Sequence, residues 1–484
     1  MRSTVKIKFD KSWLLFIAAA TVFLAIKIPA SDYAVSDENT YYKMGQLVAG
    51  GQVPYRDFFF SHLPLQVYLY AAVFKLFGFN LIILKLLSAA AVAVTAAFVF
   101  AIAKSRIGPA IASAATLLFM FSYGTLLFSN YPTGLELAMP FVMAAFYFFL
   151  QKKSLLCGFM LGLATATYQL SVLALPVFLL GAALMLKEKK ALLRMAVGFA
   201  AVAGAVSLIF LLAAGWEFIR QVLVYHLQKP SENIDKSAIF FRILKTNWLL
   251  FGLAALAVAS SHRKKITLLM PLSIALVYVL AFPFIKTAFN YYLLYAFPFL
   301  ALTGGYGLLA LQELLTGKIK LRRGLAAAAI IALIALSSFF AARQFYDYDF
   351  QDFDNAQEIA GYVQANSRQE QTIFGDDSTV PLISILAGRE IALNYADNNA
   401  MRYRSGITGM EATLRQLNES AGKGELKFIL LRRIKLDEGT LDFGIGTEDK
   451  FTAFVKGNCI LAKEFSAEWR GLTHAYYVYD CLKT

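Results

Sequence analysis

Charge is sparse in this sequence. Only 16% of its 484 residues are Asp, Glu, Lys or Arg, against 58% hydrophobic, a balance far from that of a soluble domain. Cysteine is scarce, at three residues, which is too few for a fold built on disulfides. The four histidines form no HExxH, and no CxxC pairs occur, so the local zinc motifs are missing. A Gly-rich phosphate loop is also lacking, which disfavours nucleotide hydrolysis. Neither a repeat of fixed period nor a low-complexity linker divides the chain.

What is there instead is a series of apolar runs. They recur from Trp13 to Phe340 and approach 20 residues, the length a helix needs to cross hydrocarbon. The first is not followed by a small-residue cleavage site and reads as an anchor. After Arg343 the pattern changes to ordinary mixed polarity. Two parts follow: an all-α polytopic membrane domain over 1–342, and a small soluble α/β domain over 343–484.

Charge is also uneven. Residues 1–342 carry 30 Lys and Arg against 11 Asp and Glu, a net +19, whereas 343–484 carry 16 against 21, a net −5. In a membrane protein a basic balance reports orientation, so nucleic acid is not expected as a partner. Basic clusters at Arg2 to Lys11, Lys104/Arg106, Lys152/Lys153, Lys187 to Arg194, Arg263 to Lys265 and Lys318 to Arg323 are all read as cytoplasmic. That alternation requires about 11 transmembrane helices, from 13–30 and 80–103 through to 290–312 and 324–341. Leu63 to Gly78 is read as an interfacial helix in the first outer loop. An odd number of crossings makes the tail extracytoplasmic, where Cys459 and Cys481 could pair. Within the tail, strands are predicted at Thr372–Phe374, Ile391–Asn394, Lys427–Arg432, Cys459–Glu464 and Ala475–Asp480. Helices are predicted near Ala356–Asn366, Val380–Leu386 and Met410–Leu417.

With this topology eight of the 11 acids of the membrane part face outward: Asp32, Asp37, Glu38, Asp57, Glu136, Glu217, Glu232 and Asp235. The outer face is therefore where carboxylate chemistry would sit. The stretch Ser36 to Pro64 organises it. Asp37 and Glu38 head a helix whose apolar residues Met44, Leu47 and Val48 have helical spacing and which ends at Gly50-Gly51. The two acids either cap that helix or supply a general base for an acceptor hydroxyl or amine. Glu136, at the mouth of the fourth span, either snorkels to the interface or faces a cavity. His62 and His226 lie on outward loops and serve as hydrogen-bonding groups or as ligands of a divalent metal ion; His262 and His474 fall in a basic turn and in the tail. Arg56, Lys229, Lys286, Tyr291 and Tyr292 suit either lipid headgroups or the phosphate of a lipid carrier.

Taken together these residues resemble the C-type glycosyltransferases, polytopic enzymes that use polyprenyl-linked sugars, and in particular the branch of protein O-mannosyltransferases and lipid A aminoarabinose transferases. The resemblance rests on Ser36-Asp37-Glu38 after the first span, Tyr55-Arg56-Asp57 through His62-Leu63-Pro64, Leu135-Glu136-Leu137-Ala138-Met139-Pro140, His226-Leu227-Gln228, and Tyr291-Tyr292 followed by Pro298. It implies an inverting transfer from a polyprenyl-phosphate-linked sugar to an extracytoplasmic acceptor, in a bacterial or archaeal plasma membrane. Asp37 would be the base, with Glu38 and Glu136 as companion acids. Tyr55, Arg56, Asp57, His62, Lys229, Lys286, Tyr291 and Tyr292 would bind substrate. Where relatives carry a carboxylate and a lysine before paired prolines, this chain has Ser61, His62 and one proline, so their zinc ligation does not carry over residue by residue. The second class of function to weigh is a transporter or flippase of lipid-linked sugars; a non-catalytic scaffold whose tail recruits partners is a third.

Overall fold

The computed structural model describes residues 10–186, 188–231, 234–260, 266–348, 353–436 and 439–482. Arg2, Lys6, Lys8, Lys187, Glu232, His262 and the cluster Arg263 to Lys265 lie outside the described residues. The chain divides into two compact units. One comprises 1–31, 82–207 and 232–348; the other comprises 32–81, 208–231 and 349–484. The second unit is thus built from three separate stretches of sequence, with the first loop and the tail folded as one body.

The first unit is helical. It begins with α1 (Ser12–Lys27). After a gap in sequence filled by α2 (Glu38–Ala49) and α3 (Leu65–Phe77) of the second unit, it resumes with α4 (Leu81–Arg106), α5 (Pro109–Met120), α6 (Tyr123–Phe128), α7 (Leu135–Leu150) and α8 (Ser154–Thr167). These stretches are apolar and rich in Ala, Leu and Phe, which suits a helix whose surroundings are lipid or other helices. Among the described residues four helices are long and apolar enough to cross a membrane: Leu81–Arg106, Lys189–Ala214, Asn290–Lys318 and Arg323–Tyr346. A fifth arises if Lys236–Thr246 and Trp248–Ala259 count as one span bent by 85°. Seven shorter apolar helices of 10–17 residues complete the set, α3 among them.

Small residues set the closest helix contacts. A Cβ on Gly158 of α8 would come within 1.9 Å of the Met195 carbonyl oxygen, and one on Gly198 within 2.2 Å of the Leu155 carbonyl oxygen. The two backbones therefore cross in contact, the usual device for packing helices without a large apolar side chain between them. At the 85° bend, Asn247 replaces the lost helical ladder. Its Oδ1 accepts from Gly124 N at 2.9 Å, while its Nδ2 donates to the Ile243 carbonyl at 2.9 Å and to Thr246 Oγ1 at 3.1 Å. One side chain thus ties the helix end before the break to the backbone of α6.

The tail forms a five-stranded sheet. β1 (Thr372–Gly375) pairs parallel with β2 (Leu426–Leu436), which pairs antiparallel with β3 (Gly439–Asp442) and with β5 (Leu472–Asp480); β4 (Ile460–Trp469) lies outside β5. Phe374, Leu417, Leu426, Ile429, Leu431, Phe451 and Val455 fill the core on one face. Cys459 and Cys481 form a disulfide that ties the start of β4 to the end of β5. Gly375 ends β1 with φ +143°, and a Cβ there would lie 1.8 Å from the Leu430 carbonyl oxygen, so only glycine fits. Four of the five predicted strands are present. The fifth, Ile391–Asn394, is a 3₁₀ turn at Ala392–Asn394, because Leu393 (φ 61°) and Asn394 (φ 55°) are left-handed and cannot extend. Only Ile391 keeps a bridge, to Ile373.

Candidate active site

The site is built on α2. Its first turn starts where the sequence places Asp37, and its apolar stripe of Tyr42, Met44, Leu47 and Val48 is buried as the periodicity requires. Asp37 occupies the N-cap position but its side chain makes no capping hydrogen bond, and it is exposed. Glu38 beside it is only 2% exposed. The acid pair is therefore split between an accessible carboxylate and an enclosed one.

The rest of the α2 surface is unusual for a helix packed on protein: Asn39, Thr40 and Lys43 are polar and nearly fully buried. Each has its partner in the tail. Asn39 Nδ2 donates to the carbonyls of Ala34 at 2.8 Å and Ser378 at 2.6 Å. Thr40 Oγ1 donates to the Asp377 carbonyl at 2.8 Å, with the Ala396 carbonyl 3.5 Å away. Lys43 Nζ donates to Gln46 Oε1 and to Glu390 Oε2, both at 2.9 Å. These bonds carry the turn after β1, Asp376 to Thr379, against the start of α2.

That turn brings more acid. The carboxyl of Asp377 is held well above the ordinary carboxylate range by burial and then by the neighbouring charges of Asp376, Asp397 and Asp37. Asp397 is raised as well, chiefly by burial, with Arg402 and Lys229 acting in the opposite sense. Arg402 is stacked between Tyr395 (3.9 Å) and Phe59 (4.6 Å) and donates to the Asp397 carbonyl at 2.9 Å. Sequence reading missed Asn39, Thr40, Asp377, Asp397 and Arg402. The signal was the acid pair Asp376-Asp377 directly after an apolar strand, at the carboxyl end of a parallel pair where α/β sheets place functional groups.

The run from Tyr55 to His62 is held from inside. Tyr55 has φ 69° and is 2% exposed, and its hydroxyl donates to the His62 carbonyl at 2.6 Å. It therefore supports the wall from behind. Arg56 makes a two-pronged contact with its neighbour Asp57, which lowers the Asp57 carboxyl and raises the Arg56 guanidinium. Gln221 accepts from Phe60 N at 2.9 Å and donates to the Tyr55 carbonyl at 3.0 Å. His62 lies 3.2 Å from the Tyr41 hydroxyl, and its ring centroid is 5.8 Å from that of His226. His226 Nε2 donates to the Ser61 carbonyl at 2.8 Å, so that nitrogen bears the proton and has no lone pair for a cation. Burial, and secondarily Lys229, hold the His226 imidazole below its ordinary range, opposed by the Ser61 contact. Among the described residues no three His, Cys, Asp or Glu stand as a metal-ligand group. The two imidazoles fit a hydrogen-bonded wall better than a metal centre. Lys229 is half-buried, its ammonium 5.9 Å from the Tyr225 ring.

The remaining sequence-derived residues belong to the first unit. Glu136 is 1% exposed in a built cradle: Ser88 Oγ donates to it at 3.0 Å, Thr133 Oγ1 at 3.2 Å and Gly134 N at 3.1 Å. Gly134, at φ 90°, turns the chain so that its N–H reaches back to that carboxylate. Snorkelling to the interface does not describe this group. Tyr291 is stacked on Phe289 at 5.5 Å and meets Tyr292 edge-on at 4.8 Å, while Lys286 is exposed. A cavity at the bend lined by Tyr123, Leu127, Phe128, Arg242, Asn247 and Leu294 joins an apolar wall to one cation.

Residues 61–216 match the family model described as dolichyl-phosphate-mannose-protein mannosyltransferase. No curated protein matches the chain. Three solved structures share its fold at low sequence identity. ArnT from Cupriavidus metallidurans bound to undecaprenyl phosphate is 11% identical with a TM-score of 0.68, over 97% of this chain and 98% of that one. The same protein in the apo state gives 12% and 0.70, over 96% and 97%. The archaeal oligosaccharyltransferase AglB from Archaeoglobus fulgidus, in complex with an inhibitory peptide and a dolichol-phosphate, gives 12% and 0.53, over 90% and 74%. In fold over nearly its whole length, and in sequence over 61–216, the chain resembles the polytopic C-type glycosyltransferases, as its motifs indicate.

Proposed function

We propose that the protein is an integral-membrane glycosyltransferase that moves a sugar, with inversion, from a polyprenyl-phosphate or pyrophosphate carrier to an extracytoplasmic glycolipid, polysaccharide or protein. One observation carries the assignment of the base: Asp37 stands at a helix start, exposed and not used as a cap, while the carboxyl beside it is enclosed. Asp37 takes the proton of the acceptor hydroxyl or amine as that atom attacks the anomeric carbon. The bond from that carbon to the phosphate oxygen breaks on the opposite face, and its electron pair leaves with the carrier phosphate. Lys229, Lys286, Tyr291 and Tyr292 are each read as candidate substrate-binding groups, with chemistry that suits a phosphate. ArnT bound to undecaprenyl phosphate and AglB with a dolichol-phosphate support a polyprenyl carrier. His62 and His226 order the loop wall, with no metal required for that role.

The tail is extracytoplasmic in this reading, with about 11 crossings and a cytoplasmic N-terminus, because the Cys459–Cys481 disulfide suits an oxidising compartment. The transporter reading draws on one feature, the 85° break at Asn247; that break is closed by side-chain hydrogen bonds and carries no acid. The test is to incubate purified protein in lipid nanodiscs with a panel of polyprenyl-linked sugars and candidate acceptors. Release of the carrier phosphate together with a glycosylated product is expected. Translocation of the lipid-linked sugar across vesicles without any such product would replace the enzyme by the transporter.

A further inference from the structure

The contacts of the tail with α2 give it a role beyond that of a separate soluble domain. Helices usually dock through apolar stripes, which tolerate a slide of half a turn. The α2 face toward the tail is polar instead, and a buried polar group is stable in one register only, that in which its partner is met. Asn39 is the tightest case. It lies two residues after Asp37, is 1% exposed, and its single amide nitrogen bridges Ala34, three residues before Asp37, to Ser378 of the tail. Thr40 is the second. Its one hydroxyl proton goes to the Asp377 carbonyl, and the Ala396 carbonyl converges on the same oxygen, so the segments bearing Asp377 and Asp397 both end at Thr40. The ion pair of Lys43, 2% exposed in its side chain, with Glu390 fixes the next turn of the helix. Further along, Asn394 Nδ2 reaches the Asp57 carbonyl and Arg220 Nη1 the Ile407 carbonyl.

We propose that the tail is a working part of the catalytic site, and that Asn39 and Thr40 are positioning residues that set Asp37 by fastening the first turn of α2 to the turn Asp376–Thr379. This rests on the assignment of Asp37 as base. It explains why a helix carrying an exposed acid is held by carbonyls of a segment about 340 residues away in sequence. A base displaced by about 1 Å can lose on the order of a hundredfold in rate, so the fastening has catalytic consequences without either residue touching the substrate.

The experiment uses the full chain in nanodiscs with Asn39→Ala, Thr40→Val, Thr40→Ser and Asp37→Asn. Two readouts are taken: amide hydrogen exchange over residues 36–42, which needs no substrate, and kcat and KM for the polyprenyl-linked donor that turns over. Thr40→Val keeps the side-chain shape and removes the donor. Exchange in the first turn of α2 is expected to quicken at least tenfold in Asn39→Ala and Thr40→Val. kcat should fall at least tenfold with donor KM within about twofold, and Thr40→Ser should restore both readouts. Unchanged exchange and kcat in folded Thr40→Val, with Asp37→Asn inactive, would overturn the positioning role and leave the base in place. Full activity in Asp37→Asn would overturn the base and this inference with it. Should Asn39→Ala not fold, the Val and Ser pair at Thr40 decides.

Discussion

Replacing Asp37 by Asn separates two uses of one carboxylate. If Asp37 capped α2, the loss would appear as stability, about 0.5–2 kcal/mol for a lost cap hydrogen bond. The structure shows no such bond, and asparagine is itself a good cap. Neutralising the side chain also removes one of the like charges acting on Asp377. The expected change in stability is therefore within about 0.5 kcal/mol, with no fall in melting temperature. Catalysis should respond differently. Loss of a general base costs about 10²–10⁴ in rate, roughly 3–5 kcal/mol of barrier, and it should fall on kcat, since the role proposed for this carboxylate is toward the acceptor proton and not the donor lipid. The assay is rapid-quench release of polyprenyl phosphate by the purified variant, read beside a thermal melt. An active Asp37→Asn, or a loss of activity that follows a loss of folded protein, would refute the reasoning.

Three further outcomes follow from the same structure. Cys459→Ser opens a loop of 22 residues and should cost about 3 kcal/mol on the chain-entropy view; a reductant should lower the melting temperature of the parent protein to that of the variant and leave the variant unmoved. Gly375→Ala forces a Cβ onto the Leu430 carbonyl at a left-handed φ, so a loss of more than about 2 kcal/mol in chemical denaturation is expected. For His226, whose imidazole is depressed by burial, the unfolded chain binds the extra proton, so its contribution is complete above an ordinary value of 6.5 and is lost as pH falls through and below it. His226→Gln should flatten the decline in melting temperature between about pH 7 and pH 5, and an unchanged slope would show that the ring is not the titrating group.

Local order was legible in the sequence; distant pairing was not. The spacing of Met44, Leu47 and Val48 before Gly50-Gly51 marks α2 to within a residue, and the run after Asn80 marks α4. Both follow from periodicity and from glycine at a helix end, which are properties of neighbours. The Cys459–Cys481 pair could be suggested because both cysteines lie in a tail read as facing an oxidising compartment. The contact of Asn39 with Ser378 could not, since it joins residues 339 apart and uses a backbone carbonyl, which every residue owns. For the same reason the sequence does not show that 32–81 and 349–484 fall in one compact unit. Ile391–Asn394 misled differently: its residues favour extension, but the chain turns left-handed at Leu393 and Asn394.

The assembly of the second unit from three stretches sets an order of events at the ribosome. Residues 32–81 are made early, yet Asn39, Thr40 and Lys43 bond to carbonyls and a carboxylate beyond residue 376. At about 5–20 residues per second, the loop waits roughly 17–70 s for those partners. During that time three polar side chains destined for burial stay hydrated, and the helix bearing the proposed base lacks its partners in the tail. On the role proposed for the tail, turnover of donor lipid begins only after the segment bearing Asp377, Ser378 and Glu390 has emerged and folded onto α2.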